Sequence, residues 1–270
     1  MSATTAVRTA SAGTGGVSAG GVLRSEWLKL ITVRSTFWTT AIALLLAIAT
    51  ALLFGSALQT DPRSDGSALA VTGATVSLSF VALVVGVLGV LSIGGEYTTL
   101  QIRSSYTAVP KRWPALVAKA LVVGAWSFVL GLVVTFASFG IIALLFGGRD
   151  VAVALTGDEI GPLLGGASYL ALIGVFAVGL GALVRASAAG ITILAGLLFV
   201  APVILSLFAA LTQAEWAATA SDYLLSSAGG VLFAAPGTAS IELWAALIAL
   251  VCWLAAVWVP ALVLTGARDV

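Results

Sequence analysis

Six stretches of this chain, residues 35–60, 66–95, 120–148, 160–184, 186–214 and 243–267, contain no charged side chain, and each is 25 to 30 residues long. A helix needs about 20 apolar residues to cross the hydrocarbon core of a bilayer. It also satisfies its own backbone hydrogen bonds there, which isolated strands cannot do. The runs do not alternate polar with apolar, as the strands of a membrane barrel would. Six helical spans are therefore predicted, at about 37–58, 68–94, 115–146, 163–184, 187–212 and 243–265. Composition points the same way: 9% of the residues are charged, against about 25% in a soluble domain.

A seventh uncharged run, "YLLSSAGGVLFAAPGTASI" (223–241), is long enough to cross. Its Ser-Ser-Ala-Gly-Gly and Ala-Ala-Pro-Gly interruptions cut it into short apolar pieces. It is read as a re-entrant or interfacial pair of short helices against the outer leaflet.

Lysine and arginine set the orientation. With the N-terminus inside, the inner segments hold Arg8, Arg24, Lys29, Arg34, Arg103, Lys111, Arg112, Lys119, Arg185 and Arg268, and the outer loops only Arg63 and Arg149. That asymmetry follows the positive-inside rule and puts both termini in the cytoplasm. Acids collect outside: Asp61, Asp65, Asp150, Asp158, Glu159, Glu215, Asp222 and Glu242.

Residues 1–22 are rich in Ala, Ser, Thr and Gly and read as a flexible tail with no cleaved signal. Residues 23–36 follow as an amphipathic interfacial helix, and 37–270 as the six-span domain. In "LRSEWLKLITVR", Leu23, Trp27, Leu30 and Ile31 share one helical face, and Ser25, Glu26, Lys29 and Thr32 the other. Trp27, Lys29 and Arg34 are expected to anchor it in the inner leaflet, Arg34 by snorkelling, and Trp113 to sit at the same interface. The plainer alternative is a basic flank that only orients the first span.

Several chemistries find no support. The chain has no His, and its one cysteine, Cys252, lies in the last span, so a thiolate metal site or a disulfide within one chain has no partner. The span interiors lack Asp, Glu, Arg and His, which proton relays and ion-coupled carriers require. No stretch matches G-x-x-x-x-G-K-[ST], so nucleotide hydrolysis within this chain is not expected. The adjacent acids Asp158 and Glu159 read as a solvated loop end. Hydroxyls in the spans (Thr50, Ser77, Ser79, Thr135, Ser138) are expected to bond their own helix backbone.

One polar, cationic segment separates spans two and three: "GEYTTLQIRSSYTAVPKRWP", Gly95 to Pro114. From Glu96 to Val109 it reads as one amphipathic helix. Ile102, Tyr106 and Val109 share a stripe, and Pro110 ends the helix. Topology requires only the charges, so the stripe points to docking on a partner.

Glu96-Tyr97, Ile102-Arg103-Ser104, Pro110-Lys111-Arg112 and Ala118-Lys119 together resemble the signature of the ATP-binding-cassette type-2 permease family, G-E-[aromatic]-x-x-G-x-I-R-[ST] followed by P-x-R and A-K. "YLLSSAGG" is similar to a Y-L-P-S-x-A-G run in actinobacterial members. Leu100 stands where Gly is common, and Leu225 replaces the Pro. The resemblance spans nearly the whole chain. It implies the permease subunit of an ATP-driven exporter in a bacterial cell membrane, working with a second permease copy and two copies of a cytoplasmic ATPase. The loop helix would dock on that ATPase through Glu96, Ile102, Arg103, Tyr106, Lys111 and Arg112. ATP and Mg would sit on the ATPase, with no cofactor bound by this chain and no nucleic acid involved. Apolar span walls favour an amphiphilic cargo such as a lipid, drug or peptide. The rival reading is a membrane scaffold that binds a cytoplasmic partner without moving cargo.

Overall fold

A computed structural model describes residues 19–58, 65–98, 113–235 and 237–267. Among them the regular structure is entirely helical. In chain order the helices are α1 (Ala19–Thr32), α2 (Arg34–Ala57), α3 (Gly66–Val76), α4 (Leu78–Thr98), α5 (Trp113–Gly147), α6 (Gly157–Val184), α7 (Ser187–Ala195), α8 (Ala201–Thr212), α9 (Glu215–Asp222), α10 (Leu225–Gly230) and α11 (Leu243–Ala267). Six continuous rods are long and apolar enough to span a membrane: α2, α3–α4, α5, α6, α7–α8 and α11. Each covers most of one of the six uncharged stretches, and α2, α4, α5 and α6 extend past it to take in Arg34, Glu96, Lys119, and Asp158 with Glu159. Their outward faces stay apolar, with Phe37, Trp38, Leu45, Leu144 and Leu211 exposed, as a hydrocarbon solvent requires.

Helix α6 is the most enclosed rod, flanked by α4, α5 and α11. Its buried Ile173 and Phe176 join Leu78, Val81 and Leu194 in the main core. Within the second rod α3 passes into α4 at Ser77, and α4 runs on to Thr98, past the expected end of the span at about 94. Helix α1 ends at Thr32, short of the expected 36, because Val33 adopts an extended conformation (φ −80°, ψ 128°) and restarts the chain as α2. Arg34 is therefore the first residue of the first rod.

The rods alternate in direction, giving the bundle two ends. At the first, α1 lies beside the start of α5, and Gly94 meets Ser187 at the start of α7. Arg185 turns the chain there in a left-handed conformation (φ 58°). At the second end the loops are tied down. The Asp65 carboxylate accepts from the Ser67 and Ala68 N–H groups at 3.0 and 3.2 Å, capping α3. Arg149 donates to the Leu58 and Ser56 carbonyls at 2.7 and 3.2 Å, closing the C-terminus of α2. Glu159, expected in a solvated loop end, is exposed where the loop meets α6 and caps that helix by accepting from the Thr156 hydroxyl and, at 2.7 Å, from its N–H.

Residues 215–233 form a hairpin that turns back into the bundle from the second end. Helix α9 returns along α8, with Trp216 against Phe208 (centroids 5.5 Å apart). At the hairpin's turn the Tyr223 carbonyl accepts from Trp253 Nε1 at 3.0 Å. Trp253 lies about 15 Å along α11 from its start. Helix α10 then climbs between α11 and the π-helical turn Gly196–Val200, burying Leu225 and Ala228. Asp222, expected in an outer loop, sits at this inward turn.

The hydroxyls divide. Thr50 and Ser77 bond carbonyls of their own or the preceding helical turn. Thr135 also reaches across helices to the Leu163 carbonyl (3.2 Å), and Ser138 to the Ala47 carbonyl (3.4 Å).

Candidate functional site

Helix α1 rests on the start of α5, and the side chains it turns inward are Leu30 and Glu26. Glu26 belongs to the face expected to be polar and solvated, yet it is only 5% exposed. Its carboxylate bridges two ammonium groups. Oε2 accepts from Lys119 Nζ at 2.5 Å, and Oε1 from Lys29 Nζ at 2.6 Å. Lys119 is 7% exposed and lies on α5. Lys29, three residues after Glu26, is partly exposed and faces the rim.

The burial of this cluster has a direct physical consequence. Removing ions from water costs several kcal/mol each, and the attraction between them recovers this only when the geometry is close and the remaining donors are met. The Glu26–Lys119 contact is short and joins residues 93 positions apart, so it holds α1 in one place on the third rod. Trp27 reinforces the seat, its ring meeting the Trp126 edge with centroids 5.9 Å apart.

Beside the cluster lies a cavity of about 390 Å³. Glu26, Lys29 and Lys119 form its charged side, while Leu88, Leu91 and Val122 form an apolar wall. Gly95, near the end of α4, is on its rim. Both helices that bracket residues 99–112, α4 and α5, thus contribute to one cavity at the foot of α1.

The expected anchoring residues occupy this end. Trp27 is on α1, Arg34 opens α2 on an exposed face, and Trp113 opens α5, also exposed. Of the expected docking residues, Glu96 falls in the last turn of α4 and does not start a helix of its own. Ile102, Arg103, Tyr106, Lys111 and Arg112 lie outside the described residues.

Sequence reasoning missed the Glu26–Lys119 pair because each residue had a sufficient local explanation, a polar face for one and headgroup contact for the other. The available signal was Lys119 standing five residues beyond Pro114 in an otherwise apolar helix, which called for an acid close by. Glu26 is the only acid within α1.

No family model matches the chain, and no curated protein matches it.

Proposed function

We propose that this chain is the membrane-spanning permease subunit of an ATP-driven exporter of the ATP-binding-cassette type-2 kind, paired with a second permease and two copies of a separate cytoplasmic ATPase. The observation that carries the reading is the constellation Glu96-Tyr97, Ile102-Arg103-Ser104, Pro110-Lys111-Arg112 and Ala118-Lys119, running from the end of the second rod into the start of the third. The six-rod helical architecture supports it. So does the placement of α1 at the end where α4 finishes and α5 begins.

On this reading the N-terminal end faces the cytoplasm, and ATP-driven closure of the ATPases pushes on residues 96–109. Lys119 follows that segment on α5 and carries the movement to α1 through the Glu26 carboxylate. The chain supplies the lever, and the ATPase supplies the motor with its ATP and Mg. The cargo is amphiphilic, and the 215–233 hairpin re-enters the membrane from the outer face.

The test is Arg103→Glu in the purified complex with its native ATPase. Permease-stimulated ATP turnover is expected to fall to the level of the ATPase alone, with membrane abundance of the permease unchanged. Unchanged turnover would count against docking at this segment. An ATPase that co-purifies yet shows no nucleotide-dependent rearrangement of the complex would favour a scaffold.

A further inference from the structure

The second end of the bundle holds a larger opening of about 830 Å³, between the start of α6, the exit of the hairpin and the start of α11. Its walls carry Tyr223, Trp244, Leu232, Ile241 and Leu243, and the one charged group that lines it is Glu242. A second cavity of about 350 Å³ adjoins it and shares Tyr223 and Trp244. No lysine or arginine lines either cavity.

The position of Glu242 immediately before α11 would account for one acid by itself, since the start of a helix favours negative charge. The surroundings add more. The Glu242 carboxylate forms no ion pair among the described residues. Trp244, two residues further on, lines the same cavity. Aromatic faces attract cations through their quadrupole, and a carboxylate beside them adds full charge complementarity.

We infer that this cavity binds an amphiphilic organic cation, with its apolar body against Leu232, Ile241 and Leu243 and its charge between Glu242 and the Trp244 and Tyr223 rings. The volume suits a ligand of drug size. As a cargo site it rests on the export function proposed above; as a binding site it does not, because it needs neither ATP nor a partner.

The test uses the purified full chain in neutral detergent, without ATPase. Two ligands of matched shape and opposite charge, tetraphenylphosphonium and tetraphenylborate, are measured by equilibrium dialysis against protein-free micelles. Saturable binding of the phosphonium and none of the borate is expected. Glu242→Gln and Trp244→Ala should each weaken phosphonium binding about fivefold or more, while Asp158→Asn, an acid outside the cavity, should leave it unchanged. Each variant's unfolding midpoint is compared with that of the parent, so that a loss of fold is not read as a loss of site. Equal binding of the borate overturns the inference. So does a folded Glu242→Gln chain with parental affinity, or an effect of Asp158→Asn as large as that of Glu242→Gln. Because no ATPase is present, failure here leaves the Arg103 experiment standing, and failure of that experiment leaves this one standing.

Discussion

Glu26 contacts two lysines through its two carboxylate oxygens, at 2.6 and 2.5 Å. Removing one partner of a buried ion pair is more damaging than replacing both with apolar groups, because the remaining charge stays desolvated. Lys119→Met is therefore expected to lower unfolding stability by about 3 kcal/mol, read as a fall in the thermal or denaturant midpoint. The double variant Glu26→Leu with Lys119→Met should recover much of that loss. Equal destabilisation by the single and double variants would show that the pair is not the source. The same pair marks a limit of sequence reading. Lys119 was legible as an unusual residue in an apolar helix, but its partner was hidden on a helical face that looked solvated. Periodicity assigns faces relative to one helix axis, and it does not say which face meets another helix.

Among the elements, the hairpin of α9 and α10 depends on a close approach to α6. A Cβ built at Gly165 would stand 1.7 Å from the Leu232 carbonyl oxygen and 2.5 Å from its carbon, both backbone atoms that cannot rotate aside. Gly229 is held similarly, with the Tyr169 ring 2.2 Å from where its Cβ would lie. Gly165→Val should thus push the hairpin out of its seat, at a cost of about 3 kcal/mol. A cysteine placed at the buried Ala228 in a Cys252→Ser background should then react with thiol reagents faster than in the parent. Parental reactivity would show that α6 and the hairpin are not in contact at this point. The division of the 223–241 run into short pieces was legible from its Gly, Ser and Pro content. Its inward course, and with it the placement of Asp222, was not, because that depends on which neighbours receive α10.

At the scale of the whole molecule, most of the described charges separate by end. Arg24, Lys29, Arg34, Lys119 and Arg185 lie at the end of α1 with the acid Glu26 among them, whereas Asp65, Asp150, Asp158, Glu159, Glu215 and Glu242 lie at the other with the single cation Arg149. The positive-inside rule turns that separation into an orientation. Single cysteines in a Cys252→Ser background give the measurement. Ala154→Cys is expected to react with a membrane-impermeant maleimide in intact cells, and Ser25→Cys only after permeabilisation. The opposite pattern would invert the molecule and place residues 99–112 beyond the reach of any cytoplasmic motor.

The six rods could be read from the sequence because the cost of placing a charge in hydrocarbon is local and large, so each uncharged stretch declares itself without reference to the others. The asymmetry of charge between the two ends follows from the same additive rule once the rods are counted. Only the tertiary structure decided that Glu26 meets Lys119, that Thr135 and Ser138 reach across helices, and that Trp244 and Glu242 share one cavity with Tyr223. Each of these depends on which residues, distant in the chain, come to occupy the same few ångströms, and no local energy term carries that information.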